Sequence, residues 1–384
     1  MKPFDVYSIF DIEIVRAQGS VLWDKAGKTY LDLYGGHAVI SIGHSHPDYV
    51  QAISRQLSSI GFYSNSVKIP QQEELAARLG ELSGYADYSL FLCNSGAEAN
   101  ENAFKLASFC NGRKKIIAFS GSFHGRTSLA VAATDNKNIV APVNQNDNIC
   151  FLPLNDLQRL EDEMDEAVCA VIVEGVQGVA GIHAPTPEFL KKIEDLCRQF
   201  GALMILDEVQ SGYGRSGKFF AHQWADVKPD LITVAKGMGN GFPVAGVLIS
   251  PDIPAKKEML GTTFGGNYLA CAAAISVLDV IKKEDLVANA QRMGDHLTAK
   301  LQHLPGIKEL RGPGLMIGLE LHEPCAELRK ELLFKHGIFT GSASNKNTIR
   351  LLPSLAVKQS ELDTFIDSLT LSLQHANNEI LYNS

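Results

Sequence analysis

The feature that most constrains the fold is a set of short apolar runs that each stop at a residue capable of chemistry. Leu231-Ile232-Thr233-Val234 stops at Ala235-Lys236-Gly237, and Ala202-Leu203-Met204-Ile205-Leu206 stops at Asp207-Glu208. Runs of this length bounded by polar residues or glycine read as buried strands. Lys115-Ile116-Ile117-Ala118-Phe119 is another, and so is Cys169-Ala170-Val171-Ile172-Val173, which ends at Glu174. Between Glu174 and Ala202, the residues Phe189, Leu190, Ile193, Leu196 and Cys197 recur at helical spacing. Strand, helix and strand in alternation specify a mainly parallel sheet covered by helices, an α/β fold. Open sheets of that kind bind ligands at the carboxyl ends of their strands, so Lys236 and Asp207 are expected on one edge.

An amine nucleophile and a buried acid at neighbouring strand ends suit pyridoxal phosphate, which needs a lysine for its Schiff base and an acid to keep the pyridine nitrogen protonated. Lys236 taken singly reads equally well as a solvated loop lysine. Its surroundings favour the cleft: Gly237, Gly239 and Gly241 follow it in a loop.

The phosphate of such a cofactor has a candidate seat. Phe91-Leu92-Cys93 leads through Asn94-Ser95-Gly96-Ala97 into a helical pattern with Ala103, Phe104, Leu106 and Ala107. The free backbone N–H groups at a helix start, with the Ser95 hydroxyl, welcome an anion, although an ordinary serine N-cap is the commoner use of such a residue. Gly121-Ser122-Phe123-His124-Gly125-Arg126-Thr127 offers the flat face of Phe123 and the fork of Arg126 for a carboxylate.

Elsewhere the chain is less specific. Val21 to Asp24 and Lys28 to Leu33 read as a hairpin, and Pro47 to Ile60 as a helix with Val50, Ile53 and Leu57 on one face. His44 and His46 before Pro47 read as a turn; no metal site is expected. The acidic run Glu161 to Glu166 reads as a solvated helix face. Tyr268 to Ile281 reads as a buried helix too short to span a bilayer, and Leu315 to Leu321 as a strand of a C-terminal α+β unit.

With 384 residues and a formal net charge of −8 without any long basic run, neither nucleic acid nor an anionic membrane is an expected partner. The seven cysteines form no C-x-x-C pair. A reducing, cytoplasmic setting fits them, and Met1 to Gly19 lacks the apolar core of a signal peptide.

Taken in order, Asn94-Ser95-Gly96-Ala97-Glu98-Ala99, Phe123-His124-Gly125-Arg126-Thr127, Leu206-Asp207-Glu208-Val209-Gln210, Ala235-Lys236-Gly237 and Thr263-Phe264-Gly265-Gly266-Asn267 resemble the motifs of class III aminotransferases of the acetylornithine and ornithine type. These are pyridoxal-phosphate enzymes with the aspartate aminotransferase-like fold, fold type I. The resemblance runs from Leu31-Asp32-Leu33 to Arg350-Leu351-Leu352-Pro353. It implies that Lys236 carries the cofactor and moves the proton, that Asp207 pairs with the pyridinium nitrogen, and that Gln210 meets the phenolic oxygen. Phe123 would stack on the ring, and Ser95, Gly96 and Ala97 would hold the phosphate together with Thr263 of the other subunit of a homodimer. Arg126 and Arg350 would clamp substrate carboxylates. Where the family reads Glu-Pro-(Val/Ile)-Gln-Gly-Glu, this chain has Glu174-Gly175-Val176-Gln177-Gly178-Val179, and the missing second Glu is the usual partner of the arginine that Arg350 matches.

The expected reaction moves the δ-amino group of an N2-acylornithine, acetyl or succinyl, to 2-oxoglutarate in arginine biosynthesis. Ornithine or 4-aminobutyrate as donor is the alternative, followed by an aminomutase or a non-catalytic binding protein of the same fold. The expected parts are an N-terminal segment (1–45) joining the small domain, a large cofactor-binding domain (46–275) and a C-terminal small domain (276–384).

Overall fold

The computed structural model describes the backbone of residues 1–382 and the side chains of residues 1–374. Its centre is a seven-stranded sheet. In chain order the strands are β1 (Ser89–Cys93), β2 (Lys115–Phe119), β3 (Ile149–Leu152), β4 (Val168–Glu174), β5 (Leu203–Asp207), β6 (Leu231–Val234) and β7 (Ala245–Ile249). Their spatial order is β1-β7-β6-β5-β4-β2-β3. All neighbours are parallel except β7, which runs antiparallel to β6 and β1. Strands covered on both faces carry no polar alternation, and every residue of β4, β5 and β6 is buried.

The helix Pro187–Phe200 between β4 and β5 illustrates how the sequence sets these crossovers. Thr186 Oγ1 accepts the Phe189 N–H at 3.1 Å as N-cap, and Gly201 ends the helix at φ 64°, where a side chain would be strained. Phe189, Leu190, Ile193, Leu196 and Cys197 form its buried stripe. Truncating Ile193 to Ala would leave a void in this core and cost about 2–5 kcal/mol.

The register fixes the functional edge. Glu174 lies opposite Asp207, and Asp207 opposite Thr233. Lys236 therefore emerges just beyond the same carboxyl-terminal line.

Two smaller sheets flank this one. The N-terminal strands Ile14–Gln18, Val21–Asp24 and Thr29–Asp32 form a meander whose last strand pairs in parallel with Ile338–Phe339. The other joins Ile307–Arg311, Ile317–Leu321, Thr348–Leu351 and Gly341–Ser342. One apolar cluster extends from Leu33 through Val277 and Leu319 to Leu369. The helix Tyr268–Lys283 runs straight through position 275, so the chain passes from the large part to the C-terminal part within one continuous helix.

Some local expectations change. The helix Pro47–Ser59 forms, but none of its residues is fully buried. The acidic run is only partly a solvated face, because its helix ends at Glu163, and Glu163 and Asp165 hold the Lys115 ammonium at 2.9 and 3.3 Å. His44 pairs with Asp32, and His46 caps the Pro47–Ser59 helix while pairing with Glu284. Among the described residues no acidic, histidine or cysteine cluster has metal-site geometry, and no helix is long and apolar enough to cross a membrane.

Candidate active site

A cleft of about 400 Å³ opens at the carboxyl ends of β4, β5 and β6. Ser95, Gly96, Ala97, Phe123, Arg126, Asp207, Gln210 and Lys236 all line it, as do Asn100, His124, Glu174 and Val179. Of the expected site residues only Thr263 and Arg350 lie outside this lining. A roomier groove of about 870 Å³ lies at the opposite end of β5, against Leu203 and Met204, and contains none of these groups.

Lys236 follows β6 and takes a left-handed backbone conformation, φ 46°, unusual for a residue with a side chain. Burial lowers its ammonium pKa and Arg350 lowers it further, against the opposing pull of Asp207 and Glu174. A larger share of the side chain is thereby the neutral, nucleophilic amine.

Asp207, 4% exposed, is held from three sides. Its Oδ2 accepts Asn100 Nδ2–H at 2.8 Å and His124 Nδ1–H at 2.7 Å, and its Oδ1 accepts the Val209 N–H at 3.0 Å. These bonds fix the orientation of the carboxylate at the strand end. Asn100 and His124 are contributions that the sequence did not reveal: Asn100 sits one helical turn after Gly96, a spacing that turns it toward the strand end, and His124 lies within a motif read for its neighbours.

Glu174 is a further buried acid in the cleft. Its Oε1 accepts the Phe123 N–H at 2.9 Å and its Oε2 the Gly178 N–H at 3.2 Å. Burial raises its carboxyl pKa from 4.5 to about 7, with His124 opposing.

At the helix Gly96–Asn111, Ser95 Oγ accepts the Glu98 N–H at 3.2 Å. Ser95 is therefore an N-cap, and the N–H groups of Gly96 and Ala97 precede the first intrahelical bond. The helix start is pressed against the turn that follows β5: a Cβ on Gly96 would come within 2.7 Å of Val209 Cγ1.

These residues fit pyridoxal phosphate. Gln210 Oε1, His124 Nε2 and Asn100 Oδ1 are buried without partners, an expensive arrangement in a site that is complete by itself. The donors at the helix start suit the phosphate, Phe123 a ring face, Asp207 a ring nitrogen and Gln210 a ring oxygen.

Arg350, 4% exposed, lies behind this cleft on the strand Thr348–Leu351. Its Nε donates to Ser342 O at 2.5 Å, its Nη2 to Tyr34 Oη at 3.3 Å, and its Nη1 is a buried orphan. Thr263 is exposed in the loop before Gly265 and does not reach the cleft of its own chain.

A strand-end lysine, a buried aspartate at the neighbouring strand end and a helix N-terminus around one cleft define a pyridoxal-phosphate-dependent enzyme of fold type I. The sequence profile described as aminotransferase class-III matches residues 5–373. The chain belongs to the class-III aminotransferases. It is 40% identical over 380 residues to acetylornithine aminotransferase 1 of Bordetella parapertussis, covering 94% of this chain and 95% of the relative. It is 39% identical over 387 residues to the acetylornithine aminotransferase of Bacillus subtilis, covering 97% of each. Among solved structures, ornithine aminotransferase of Toxoplasma gondii superposes with a TM-score of 0.90 at 28% identity, covering 98% of this chain and 93% of that one. Acetylornithine aminotransferase of Elizabethkingia anophelis superposes with a TM-score of 0.83, also at 28% identity, covering 97% and 96%.

Proposed function

We propose that this aminotransferase moves the δ-amino group of an N2-acylornithine to 2-oxoglutarate, yielding the N-acylglutamate semialdehyde and glutamate, as a step of arginine biosynthesis. The observation that carries this reading is the pair of guanidiniums around Lys236. Arg126 is exposed and lines the cleft, while Arg350 is buried and close enough to depress the Lys236 pKa. An acylornithine has its α-carboxylate far from the reacting amine, which suits the exposed fork of Arg126. The α-carboxylate of 2-oxoglutarate lies beside the reacting carbon, which suits Arg350.

The remaining roles belong to the chain's own groups. Lys236 holds the cofactor covalently, receives the proton released from the reacting carbon and returns it one position away. Asp207, fixed by His124 and Asn100, would face the ring nitrogen and hold it protonated, and pyridoxal phosphate, when bound, would supply the electron sink for the carbon losing its proton. Phe123 would cover one face, and Gln210, with one Nε2–H on the His37 oxygen, would donate the other to the ring's phenolic oxygen. Ser95, Gly96 and Ala97 hold the phosphate, joined by Thr263 from the second subunit of a homodimer. The setting is the cytoplasm.

The deciding experiment is a panel of amino donors assayed against 2-oxoglutarate. N2-acetylornithine and N2-succinylornithine are expected to exceed ornithine and 4-aminobutyrate in kcat/KM. A preference for either free ω-amine would overturn the assignment.

A further inference from the structure

Arg350 is a buried cation with no ion-pair partner among the described residues, and the nearby acids are engaged elsewhere. Glu174 uses one oxygen for the Phe123 N–H and the other for the Gly178 N–H. Asp32 spends Oδ1 on the N–H groups of Tyr34 and Gly35 and Oδ2 on His44. The position that would bring an acid into the cleft, residue 179, is a valine. An isolated buried guanidinium is unfavourable, so the groups that do meet it matter.

Besides the Ser342 oxygen on its Nε, those groups come from the loop after the strand Thr29–Asp32. Tyr34 lies beneath the guanidinium, its ring centroid 5.8 Å from Arg350 Cζ, and its Oη accepts from Nη2. The space for this ring exists because residue 341 is glycine: a Cβ there would collide with the Tyr34 ring. Gly341 is also the register partner of Arg350, so one strand pair sets both the arginine and the slot beneath it. Gly36 and His37 both take left-handed conformations, φ 55° and 68°. They turn the imidazole back onto Tyr34, with ring centroids 4.8 Å apart and Nδ1 hydrogen-bonded to Tyr34 Oη.

The direction of this chain of bonds follows from charge. A guanidinium only donates, so the phenol oxygen must accept from Arg350, and its own proton must go to His37. Desolvation and the positive charges of Arg350 and Lys236 lower the His37 pKa, keeping the imidazole neutral with a lone pair to offer. Burial raises the Tyr34 pKa above its ordinary value of 10.0, so the phenol keeps its proton. The relay Arg350 Nη2–H to Tyr34 Oη–H to His37 Nδ1 is complete and neutral except at the arginine. Through its backbone oxygen, which accepts Gln210 Nε2–H at 3.2 Å, His37 also ties the relay to the cleft.

We infer that Tyr34, with its hydroxyl proton committed to His37, is the positioning residue that holds the Arg350 guanidinium open to a substrate carboxylate. A carboxylate partner would neutralise Arg350 and have to be displaced at each turnover. A phenol orients it without cancelling its charge, and Nη1 stays free for the incoming oxygen. The inference rests on the assignment of Arg350 as the site for the carboxylate beside the reacting carbon.

The test uses the holoenzyme and glutarate, a dicarboxylate with no reacting group, titrated by calorimetry. Tyr34→Phe keeps the ring and removes the hydroxyl. It is expected to weaken glutarate about tenfold, the scale of one hydrogen bond to a charged group, with an unchanged melting temperature. In single-turnover reaction with 2-oxoglutarate, half-saturation should rise by the same factor while the limiting rate holds. His37→Asn, which keeps an acceptor and tolerates the left-handed conformation, should bind glutarate like the wild type, and His37→Ala should share the loss. Wild-type glutarate affinity in Tyr34→Phe would overturn the inference. So would a loss that comes with a lowered melting temperature and an equal weakening of the amino donor, or an equal loss in His37→Asn and His37→Ala. Because glutarate binds without any donor, failure of the acylornithine assignment would show separately, in the donor panel.

Discussion

His124 donates its Nδ1–H to Asp207 Oδ2 at 2.7 Å, and both side chains are buried at the end of β5. The bond, with those from Asn100 and Val209 N–H, fixes the carboxylate in one orientation. Asp207→Asn keeps the size and most of the geometry but cannot stabilise a protonated ring nitrogen. The variant should retain its cofactor and lose turnover roughly 100- to 1,000-fold, as when one electrostatic partner of a reaction is removed. Steady-state kinetics beside a cofactor spectrum checks this, and near-normal turnover would place the pyridinium partner elsewhere.

Glu174 leads to a prediction about stability and pH. Its carboxyl pKa is about 7 in the folded chain against an ordinary 4.5. Below pH 4.5 both states hold the proton. As pH rises toward 7 the unfolded chain releases it while the fold retains it, so folding becomes less favourable. Above about 7 both states are ionised and the loss is complete. Glu174→Gln cannot titrate, so its melting temperature should gain on the wild type between pH 4.5 and 7 and then keep a constant lead. Parallel melting curves across that window would contradict the raised pKa.

The strands bearing Glu174, Asp207 and Lys236 were legible because a buried strand writes itself as an apolar run and its end as the first polar residue. Lys236 and Asp207 are only 29 residues apart, Asp207 ending one strand and Lys236 following the next. Arg350 and Tyr34 are separated by 316 positions. Their meeting depends on two strand pairings, Leu31 with Ile338 and Gly341 with Arg350, which no local pattern encodes. Glu174 was visible only as a strand end, since its raised pKa comes from the depth of the cleft and from Asp207 beside it.

Thr263 is exposed in its own chain, next to Phe264, which is 60% exposed and packs on Phe62. If it completes the phosphate site of a second subunit, Thr263→Ala should weaken cofactor retention. Mixed dimers locate the effect. One chain with Thr263→Ala and a partner with Lys236→Ala should give one complete site per dimer. A chain carrying both changes, paired with the wild type, should give none. The opposite pattern would place Thr263 in the site of its own chain, and a fully active monomer in sedimentation would remove the shared site altogether.

Val179 lines the cleft, and its backbone oxygen accepts the Ser344 N–H at 2.8 Å, two residues beyond the Ser342 oxygen that holds Arg350. The side chain at 179 therefore sits on the approach to the arginine. With valine there Arg350 keeps its full charge while the amino donor is bound, and a donor that brings an additional carboxylate can use it. The succinyl group carries such a carboxylate and the acetyl group does not, so N2-succinylornithine should be used at least as well as N2-acetylornithine. Val179→Glu supplies an acid within the site. It should pair with Arg350, lower the affinity for 2-oxoglutarate, and shift donor preference toward substrates with no carboxylate near the reacting amine, about tenfold for one charge-assisted contact. The measurement is kcat/KM for both acylornithines in wild type and variant. A strong wild-type preference for the acetyl substrate, unchanged by Val179→Glu, would show that residue 179 has no part in choosing the donor.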